Sequence, residues 1–397
     1  MKLYAQHGHG PGNKISRGLK DDVVKGVILS PRDERPGGMQ NLISQLRNES
    51  DSADIFLDPQ LYTTVLVGKP TARLGSLPDY SYFPGPRHRT DYENVRNIDN
   101  DIEECLKYQS NLPLTGWISP NILVGGGLDS IWGGIAKNFI RRSVEISNKF
   151  TEHPPVYPTF ALSVTALSQK EEIEFFLDEV SIWEDRPAGF YLLVACDTTE
   201  SRPEVYNREV IGHWLYLTYV LACNDYEVIV GYSDYLSPFL WISGACAGAT
   251  GWFENLKRFS LERFIPTTEG GRQPLPRYSS APLLNRILMG ELTGAEELEI
   301  SQMRSNTPYE DRFSSGRTPS REDEILQHWA AINSLNSIVD STNVSQSVDK
   351  AITHISTAES VYSSVSAAGI SFNAKSDDSH LVPLKEGLEY FRQLAEL

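Results

Sequence analysis

Short hydrophobic runs that end in polar residues or glycine alternate along this chain with longer segments of helical periodicity. Several of the runs, such as residues 190–194, are continuously apolar, which is typical of parallel strands buried on both faces. The alternation therefore predicts a parallel sheet covered by helices. The predicted strands are Lys2–Gln6, Gly26–Leu29, Ala53–Leu57, Asn121–Val124, Thr159–Val164, Phe190–Ala195, Glu227–Val230 and Ala245–Ala249.

The segments between these runs predict helices. Ser168, with Glu171 and Glu172 behind it, is typical of a helix start, because a hydroxyl caps free amides and acids complement the helix dipole. Successive strand and helix units without an internal break favour a (β/α)8 TIM-like barrel over a doubly wound open sheet. The predicted helices are Met39–Arg47, Asp99–Gln109, Ser130–Phe150, Gln169–Trp183, Arg208–Ala222 and Tyr235–Ser243.

Two regions break the alternation. Residues 62–97 form an insertion rich in Pro, Gly, Tyr and Arg, for which we expect exposed tyrosines and arginines in a binding lid or a docking surface. From residue 266 a Pro-, Gly- and Arg-rich linker leads into helical patterns. We therefore expect a barrel at 1–265 and a linker with a helical C-terminal domain at 266–397. The C-terminal helices are predicted at Arg321–Val339, Ser347–Ala368 and Pro383–Leu397.

One face of the first C-terminal helix is apolar. A one-sided stripe of this kind predicts a helix that packs in a core or at an interface, rather than a cofactor site. The stripe consists of Ile325, Leu326, Trp329, Ile332 and Leu335.

Charge and cysteine usage narrow the function classes. The chain has 52 Asp and Glu against 36 Lys and Arg, a net charge of −16 that opposes non-specific attraction to phosphate backbones. The four cysteines have no CxxC spacing, which predicts free thiols rather than a zinc site or disulfides.

The residues from Met1 to His7 lack the apolar region of a signal peptide, and the apolar stretch 214–223 is too short to span a bilayer. We expect a cytoplasmic protein without membrane association.

Polar side chains stand at the carboxyl ends of the predicted strands. In a parallel barrel these ends converge on one mouth, where the side chains either line a pocket or merely cap the barrel. Asp33, Asp58 and Asp197 are the candidate catalytic groups, as acid–base or metal-binding carboxylates. Further candidate substrate-binding residues are Arg32, Gln60 and Arg87.

His7 and His9 follow the first predicted strand. Two imidazoles one residue apart on an extended chain point the same way, so both can reach one metal ion. This HxH resembles the opening of metal-dependent barrel hydrolases of the amidohydrolase type, which implies a divalent metal cofactor held by His7 and His9. The strand-end lysine and the later strand-end histidines of that family have no counterpart here. The alternatives are a proton-transfer role for His7 or a tight turn without chemistry.

Glycine-containing loops follow the last two predicted strands. Loops at these positions bind phosphate in many barrels, because bare glycine amides can approach an anion closely. Gly231, Ser233, Thr250 and Gly251 are therefore candidate contacts for a phosphorylated or nucleotide-like ligand. Asp234 counts against an anion, and close packing of strand and helix is the alternative role for the glycines.

The segment 227–258, with Val230-Gly231-Tyr232-Ser233 and Gly244-Ala245, resembles the late strands of tRNA-guanine transglycosylase barrels. The resemblance covers roughly thirty residues and implies base exchange at the barrel mouth. That family uses an aspartate at the end of the last strand, where Thr250 and Gly251 stand here, and its cysteine-rich zinc site has no counterpart.

Three functions compete. The leading hypothesis is an enzyme, a hydrolase or a glycosyl or base transferase, that accepts a small anionic, phosphorylated or nucleotide-like substrate; Asp58→Asn would then abolish activity without unfolding the protein. The second is a catalytically silent barrel that serves as a subunit of a protein assembly or of a homo-oligomer through its C-terminal helices. The third is a nucleic-acid-binding protein, since the insertion carries five Lys and Arg against three acids, with tyrosines between them.

Overall fold

A computed structural model describes residues 1–10, 13–66, 73–196, 202, 204–265, 275–314, 316–340 and 342–397 of the chain. One parallel sheet dominates the first two thirds of the molecule. It is built from the strands β1 (Lys2–Gln6), β2 (Gly26–Leu29), β3 (Asp54–Leu57), β4 (Trp117–Ser119), β5 (Leu123–Val124), β6 (Val156–Ser163), β7 (Gly189–Ala195), β8 (Glu227–Val230) and β9 (Ala247–Thr250).

The strands follow one another around the sheet in the order β3-β2-β1-β9-β8-β7-β6-β4. β5 also pairs with β6, so β4 and β5 form a single interrupted position in the sheet. The two edges approach each other where the Thr115 amide donates to the Ile55 carbonyl at 2.8 Å. The result is a nearly closed parallel barrel with eight strand positions, which confirms the predicted (β/α)8 TIM-like fold.

The strands are apolar for the reason that the sequence predicts, because helices cover the outside of the barrel while side chains fill its inside. All seven residues of β7 are buried, as are all four of β2 and of β9. The helices of this region are α1 (Lys14–Lys20), α2 (Pro36–Glu49), α3 (Arg89–Tyr92), α4 (Val95–Gln109), α5 (Ile131–Ser147), α6 (Val164–Leu167), α7 (Lys170–Ser181), α8 (Arg208–Cys223) and α9 (Ser237–Ile242).

One predicted helix start is wrong. Ser168 does not cap α7, whose first flanking residue is Gln169 without a side-chain cap. It instead ends α6, and its hydroxyl donates to the Val164 carbonyl at 2.8 Å. Glu171 and Glu172 do lie in the first turn of α7, where their negative charges interact favourably with the helix dipole.

The insertion after β3 folds onto the barrel. It contains short 3₁₀ turns at Leu61–Thr63 and Leu77–Asp79 before α3, while residues 67–72 lie outside the described part. Tyr80, Tyr82 and Tyr92 are only 1–2% exposed. The expectation that these tyrosines form an exposed docking or base-stacking surface is therefore wrong, since their rings pack into the core.

The C-terminal part packs against the barrel helices. α13 packs along α8 and α12, while α11 contacts α1, α9 and β10. The apolar stripe of α11 is buried, which confirms the prediction of a packing face. The hairpin and α10 were not predicted. This part comprises the antiparallel hairpin β10 (Arg277–Ser280) and β11 (Asn285–Leu288), and the helices α10 (Met289–Glu297), α11 (Arg321–Ser334), α12 (Val344–Ala367) and α13 (Leu381–Leu394).

The domain boundary predicted at 265/266 falls beside residues 266–274, which are outside the described part. Cys196 and Cys246 both lie in apolar runs, which predicts buried free thiols. Cys196, just after β7, is buried as predicted, whereas Cys246 is only half-buried. Within the described ranges, no helix combines the length and the apolar character needed to cross a membrane.

Candidate functional site: a cationic cavity beside a covered barrel mouth

The carboxyl end of the barrel is covered by the segment that follows β9. Residues 252–264 turn back across it, and the Cys196 amide donates to the Phe259 carbonyl at 3.0 Å. Phe259 and Phe264 pack edge-on against the Tyr62 ring, with centroid distances of 4.9 and 5.9 Å. Side chains thus close this end of the barrel over the strand-end carboxylates.

Beneath this cover Asp33 lies in a buried ion pair with Arg263, and the two side chains are 1% and 3% exposed. Asp33 also accepts hydrogen bonds from Arg32 Nη1 at 2.6 Å and from Ser30 Oγ at 2.7 Å. Arg263 donates further to the Tyr232 hydroxyl at 3.2 Å. The structure therefore brings the predicted residues Arg32 and Asp33 together, with Arg263 as a third partner that the sequence did not single out.

Asp58 is fully buried in the same region. It accepts hydrogen bonds from the Tyr62 hydroxyl at 2.9 Å, the Gln60 amide at 3.1 Å and the Tyr191 hydroxyl at 3.4 Å. Burial raises the pKa of Asp58 to about 6, although these hydrogen bonds oppose the shift. The Gln60 side chain links the Ser30 hydroxyl to the backbone amide of Arg32. The predicted polar residues of the mouth thus largely satisfy one another.

Other predicted residues lie apart from one another. Arg87 pairs with Asp101 of α4 at 2.7 Å. His7 is buried, its Nδ1 lies 3.4 Å from the Ser30 amide, and burial lowers its pKa, whereas His9 lines the cavity described below. Asp197 lies outside the described residues. Among the residues that the structure describes, no group of three or more His, Cys, Asp or Glu could hold a metal ion, and a metal at His7 and His9 stays a prediction.

A cavity of about 750 Å³ lies beside the covered mouth. Its walls come from loops after β1, β7, β8 and β9 on one side, and from the β10–β11 hairpin, α11 and α13 on the other. Of the predicted ligand contacts, Ser233 and Gly251 lie in its wall. Its size suits a small molecule, and neither the barrel nor the C-terminal part forms it alone.

The cavity is cationic in an acidic chain. Its wall contains four carboxylates, from Glu204, Asp234, Glu254 and Glu324. The eight basic side chains in the wall are Lys14, Arg202, Lys257, Arg258, Arg277, Arg286, Arg321 and Lys375. The described wall therefore has twice as many basic as acidic side chains, although the whole chain has a net charge of −16. A local reversal of sign of this kind raises the concentration of anions at the site.

Lys257 is the buried cation of this wall that lacks a partner. Arg286 makes a two-pronged ion pair with Glu254, with N–O distances of 2.6 and 2.9 Å. Lys257 is 9% exposed, and its ammonium makes no ion pair or hydrogen bond with any described residue. Burial, together with the nearby Arg286 charge, lowers its pKa to about 8. A bound anion would supply the missing partner.

A chain of hydrogen bonds joins the two walls of the cavity. Asp234, after β8, accepts from Thr250 Oγ1 at 2.6 Å and contacts His328 Nε2 of α11 at 2.7 Å. His328 Nδ1 lies 2.8 Å from the hydroxyl of Ser279 on β10. Burial lowers the pKa of His328 to about 4, so the imidazole is neutral at pH 7. Burial opposes ionisation of Asp234, but His328 and the Lys257 and Arg286 charges outweigh it and hold its pKa below the ordinary value.

The loop after β8 has an unusual backbone. Tyr232 and Asp234 have φ angles of +54° and +41°, in the left-handed region that L-residues rarely adopt. Such conformations cost roughly 1 kcal/mol or more and persist where the surroundings impose them. The carboxylate of Asp234 in this loop contacts His328 of α11.

The glycines of the predicted phosphate loops serve close packing. A Cβ at Gly231 would lie 2.6 Å from the Tyr191 hydroxyl oxygen, and one at Gly251 would lie 2.7 Å from the Gln6 carbonyl oxygen. This geometry supports the packing alternative, although Gly251 also borders the cavity.

Sequence reasoning missed Ser279, His328 and Lys257. One signal was present, because His328 lies within the apolar stripe of α11, where a polar residue needs a buried partner. No comparable signal marks Ser279, since the hairpin itself was not predicted.

No protein-family model matches the chain, and a comparison with curated proteins found no match. The resemblance to tRNA-guanine transglycosylases therefore has no support from a family match, and the barrel architecture stands on the structure alone.

Proposed function

We propose that this protein is an enzyme that binds a small anionic substrate in the cavity between the barrel and the C-terminal part. The observation that carries this proposal is the cationic wall, with its buried and unpartnered Lys257. The carboxylates of Glu254, Asp234 and Glu324 stabilise the Lys257 ammonium only from beyond ion-pair distance. A buried charge without an ion-pair partner carries a desolvation cost. An anionic ligand repays it by completing the ion pair.

The arrangement of the cations favours a phosphorylated or carboxylated ligand. Lys257 lines the cavity from the barrel side, while Arg277 and Arg286 line it from the hairpin. Arg286 is held by Glu254, and Arg277 donates to the Arg286 carbonyl and to the Ser376 hydroxyl, so these two cations contribute field from fixed positions. Ser233 and Gly251, after the last two barrel strands, border the same space. In TIM barrels the loops after these strands are the recurrent position of phosphate sites.

Glycosyl or base transfer is the second candidate reaction. A transglycosylase of the resembling family places its carboxylate at the end of the last strand, which is Thr250 here. The Asp234 carboxylate lies against this position, because it accepts the Thr250 hydroxyl at 2.6 Å. Asp234 could thus provide a carboxylate there from the neighbouring loop.

The test is calorimetric titration with inorganic phosphate, pyrophosphate and AMP. Lys257→Met should weaken the tightest of the three by about tenfold or more, which corresponds to ~1.4 kcal/mol. Lys149→Met is the matched control, because Lys149, two residues after α5, is 58% exposed and pairs with Glu103 outside the cavity. It should leave the affinity unchanged.

Two outcomes would overturn the proposal. The first is a wild-type protein that binds none of the three anions at millimolar concentration, and this result would favour the assembly-subunit hypothesis. The second is equal affinity in wild type and Lys257→Met, which would place anion binding elsewhere.

A further inference from the structure

The β10–β11 hairpin presents one of its faces to the cavity. Ser279 pairs with Arg286 across the hairpin, and both residues lie in the cavity wall, as does Arg277 two positions before Ser279. The alternate residue Ser280 faces the other way, and its hydroxyl donates to the Met303 carbonyl at 2.6 Å. Ser279 is therefore placed between two arginines on the wall of an anion-binding space.

The backbone of Ser279 is held firmly. Its amide donates to Gln327 Oε1 at 3.0 Å, and its carbonyl accepts from Gln327 Nε2 at 2.7 Å. The Ser305 hydroxyl donates to the same carbonyl at 2.7 Å. These bonds satisfy the backbone of Ser279, and its hydroxyl, which is directed at His328 and lies near Tyr235, is the polar group with which this residue borders the cavity.

The protonation of His328 follows from its partners. The Asp234 carboxylate has no proton to donate, so it accepts the Nε2–H of the neutral imidazole. Nδ1 is then the unprotonated nitrogen, and the Ser279 hydroxyl donates to it at 2.8 Å. A hydroxyl, an imidazole base and a carboxylate that orients the base are the parts of an activated serine nucleophile, which is recognised by geometry rather than by sequence position.

We infer that Ser279 is a nucleophile with His328 as its general base and Asp234 as a positioning residue, and that the cavity hydrolyses a carboxylic ester of an anionic molecule. This inference rests on the proposed function, because the cationic wall is what would hold the anionic part of the ester near Ser279.

The reaction has two balanced steps. In the first, Ser279 Oγ attacks the ester carbonyl carbon, its proton moves to His328 Nδ1, and the bond from carbon to the alcohol oxygen breaks. His328 gives that proton to the departing alcohol, which leaves an acyl-serine. In the second, a water molecule loses a proton to His328 and attacks the acyl carbon. The bond from the acyl carbon to Ser279 Oγ then breaks, His328 gives its proton to Ser279 Oγ, and the carboxylic acid leaves.

A fluorophosphonate probe tests the nucleophile directly, because it forms a stable bond with activated serines. We expect intact-mass spectrometry to show one adduct per wild-type chain, and peptide mapping to place it on Ser279. Ser279→Ala should lose the adduct, and His328→Gln should slow labelling by about a hundredfold or more. Ser280→Ala is the matched control from the same strand and should be labelled like the wild type. Inorganic phosphate should slow labelling of the wild type.

Ser279→Cys is a second variant for the case in which Ser279→Ala does not fold, because a cysteine preserves the approximate size and the hydrogen bond of the side chain. It should react with iodoacetamide faster than Ser280→Cys does. A wild-type protein that stays unlabelled, or a Ser279→Ala variant that is labelled as fast as wild type, would overturn the inference. Phosphate binding without labelling would reject the nucleophile and keep the proposed anion site. Labelling of Ser279 without phosphate binding would reject the anion site instead.

Discussion

Two buried cations from one short segment after β9 have opposite surroundings. Arg263, at the barrel mouth, is enclosed by the Asp33 carboxylate and the Tyr232 hydroxyl. Lys257, in the cavity wall, has no ion-pair partner in the described chain. The comparison shows that strand-end position alone does not locate a ligand site. The charged groups at the mouth, where the sequence concentrated its candidates, pair with one another, whereas the cavity wall beside it contains a buried ammonium without an ion-pair partner among the described residues.

Of the changes considered, removal of Arg263 should lower the free energy of unfolding most. Arg263→Met leaves the 1%-exposed Asp33 carboxylate without its main buried partner, so we expect the free energy of unfolding to fall by about 3 kcal/mol. Denaturant titration measures the change. Asp33→Asn combined with Arg263→Met should recover most of the loss. Arg89→Met, which breaks an exposed pair with Glu93, should cost less than about 0.5 kcal/mol. Equal effects of Arg263→Met and Arg89→Met would show that the mouth is not held by this pair.

The cavity should make the protein acid-labile through His328. This imidazole faces Asp234, Tyr235, Lys257 and Arg286, and its pKa is lowered from 6.5 to about 4. Between these values the unfolded chain binds a proton that the folded one does not, so stability should fall by up to ~3 kcal/mol as the pH drops from about 6.5 to about 4.

Thermal unfolding across this pH range tests the expectation. His328→Gln should flatten the pH dependence without abolishing it, because burial also lowers the pKa of His380 to about 4. An unchanged slope in His328→Gln would mean that His328 is protonated in the folded protein.

Asp58 should change stability with pH in the direction opposite to that of His328. Its pKa is about 6 in the folded protein and near 3.8 when exposed, so folding takes up a proton between these values. Its contribution should therefore raise stability by up to ~3 kcal/mol as the pH falls from about 6 to about 4. The difference between Asp58→Asn and wild type at each pH isolates this contribution. A difference that does not change with pH would show that Asp58 is ionised throughout the range.

Removing Lys257 should change the free energy of unfolding much less than removing Arg263 does. Lys257→Met removes a buried cation that has no ion-pair partner among the described residues and keeps the apolar stem of the side chain. We therefore expect the free energy of unfolding to rise by less than about 1 kcal/mol. Denaturant titration alongside Arg263→Met gives the direct comparison. A loss as large as that of Arg263→Met would show that Lys257 supports the fold, and would weaken its assignment to a ligand.

The strands were the most predictable part of the fold. β1, β2 and β8 have the predicted bounds, because each is an apolar run that glycine or a polar turn closes. β4 was missed, since its three residues stop at Pro120 and are too short to show a period. The hairpin was missed because its alternation, with Arg277 and Ser279 on one face, does not resemble an apolar strand.

The candidate site was predicted in part. Ser233, Gly251 and His9 border the cavity, as strand-end residues should, whereas Asp33 and Asp58 lie beneath the cover. The cover itself could not be foreseen, because nothing in the composition of residues 252–264 states that they turn back over the barrel rather than away from it.

Hydrophobic periodicity is a local property of the chain, and by itself it predicted the alternation of strands and helices, favoured a barrel and indicated the strand ends at which polar side chains gather. Only the tertiary structure decided which of those side chains pair with each other and which face open space. Asp234, Ser279 and His328 come from a barrel loop, a hairpin and a helix, and they meet only because α11 docks beside the mouth. Hydrogen bonds and unpaired charges depend on distances of a few ångströms between segments remote in sequence, and packing sets those distances.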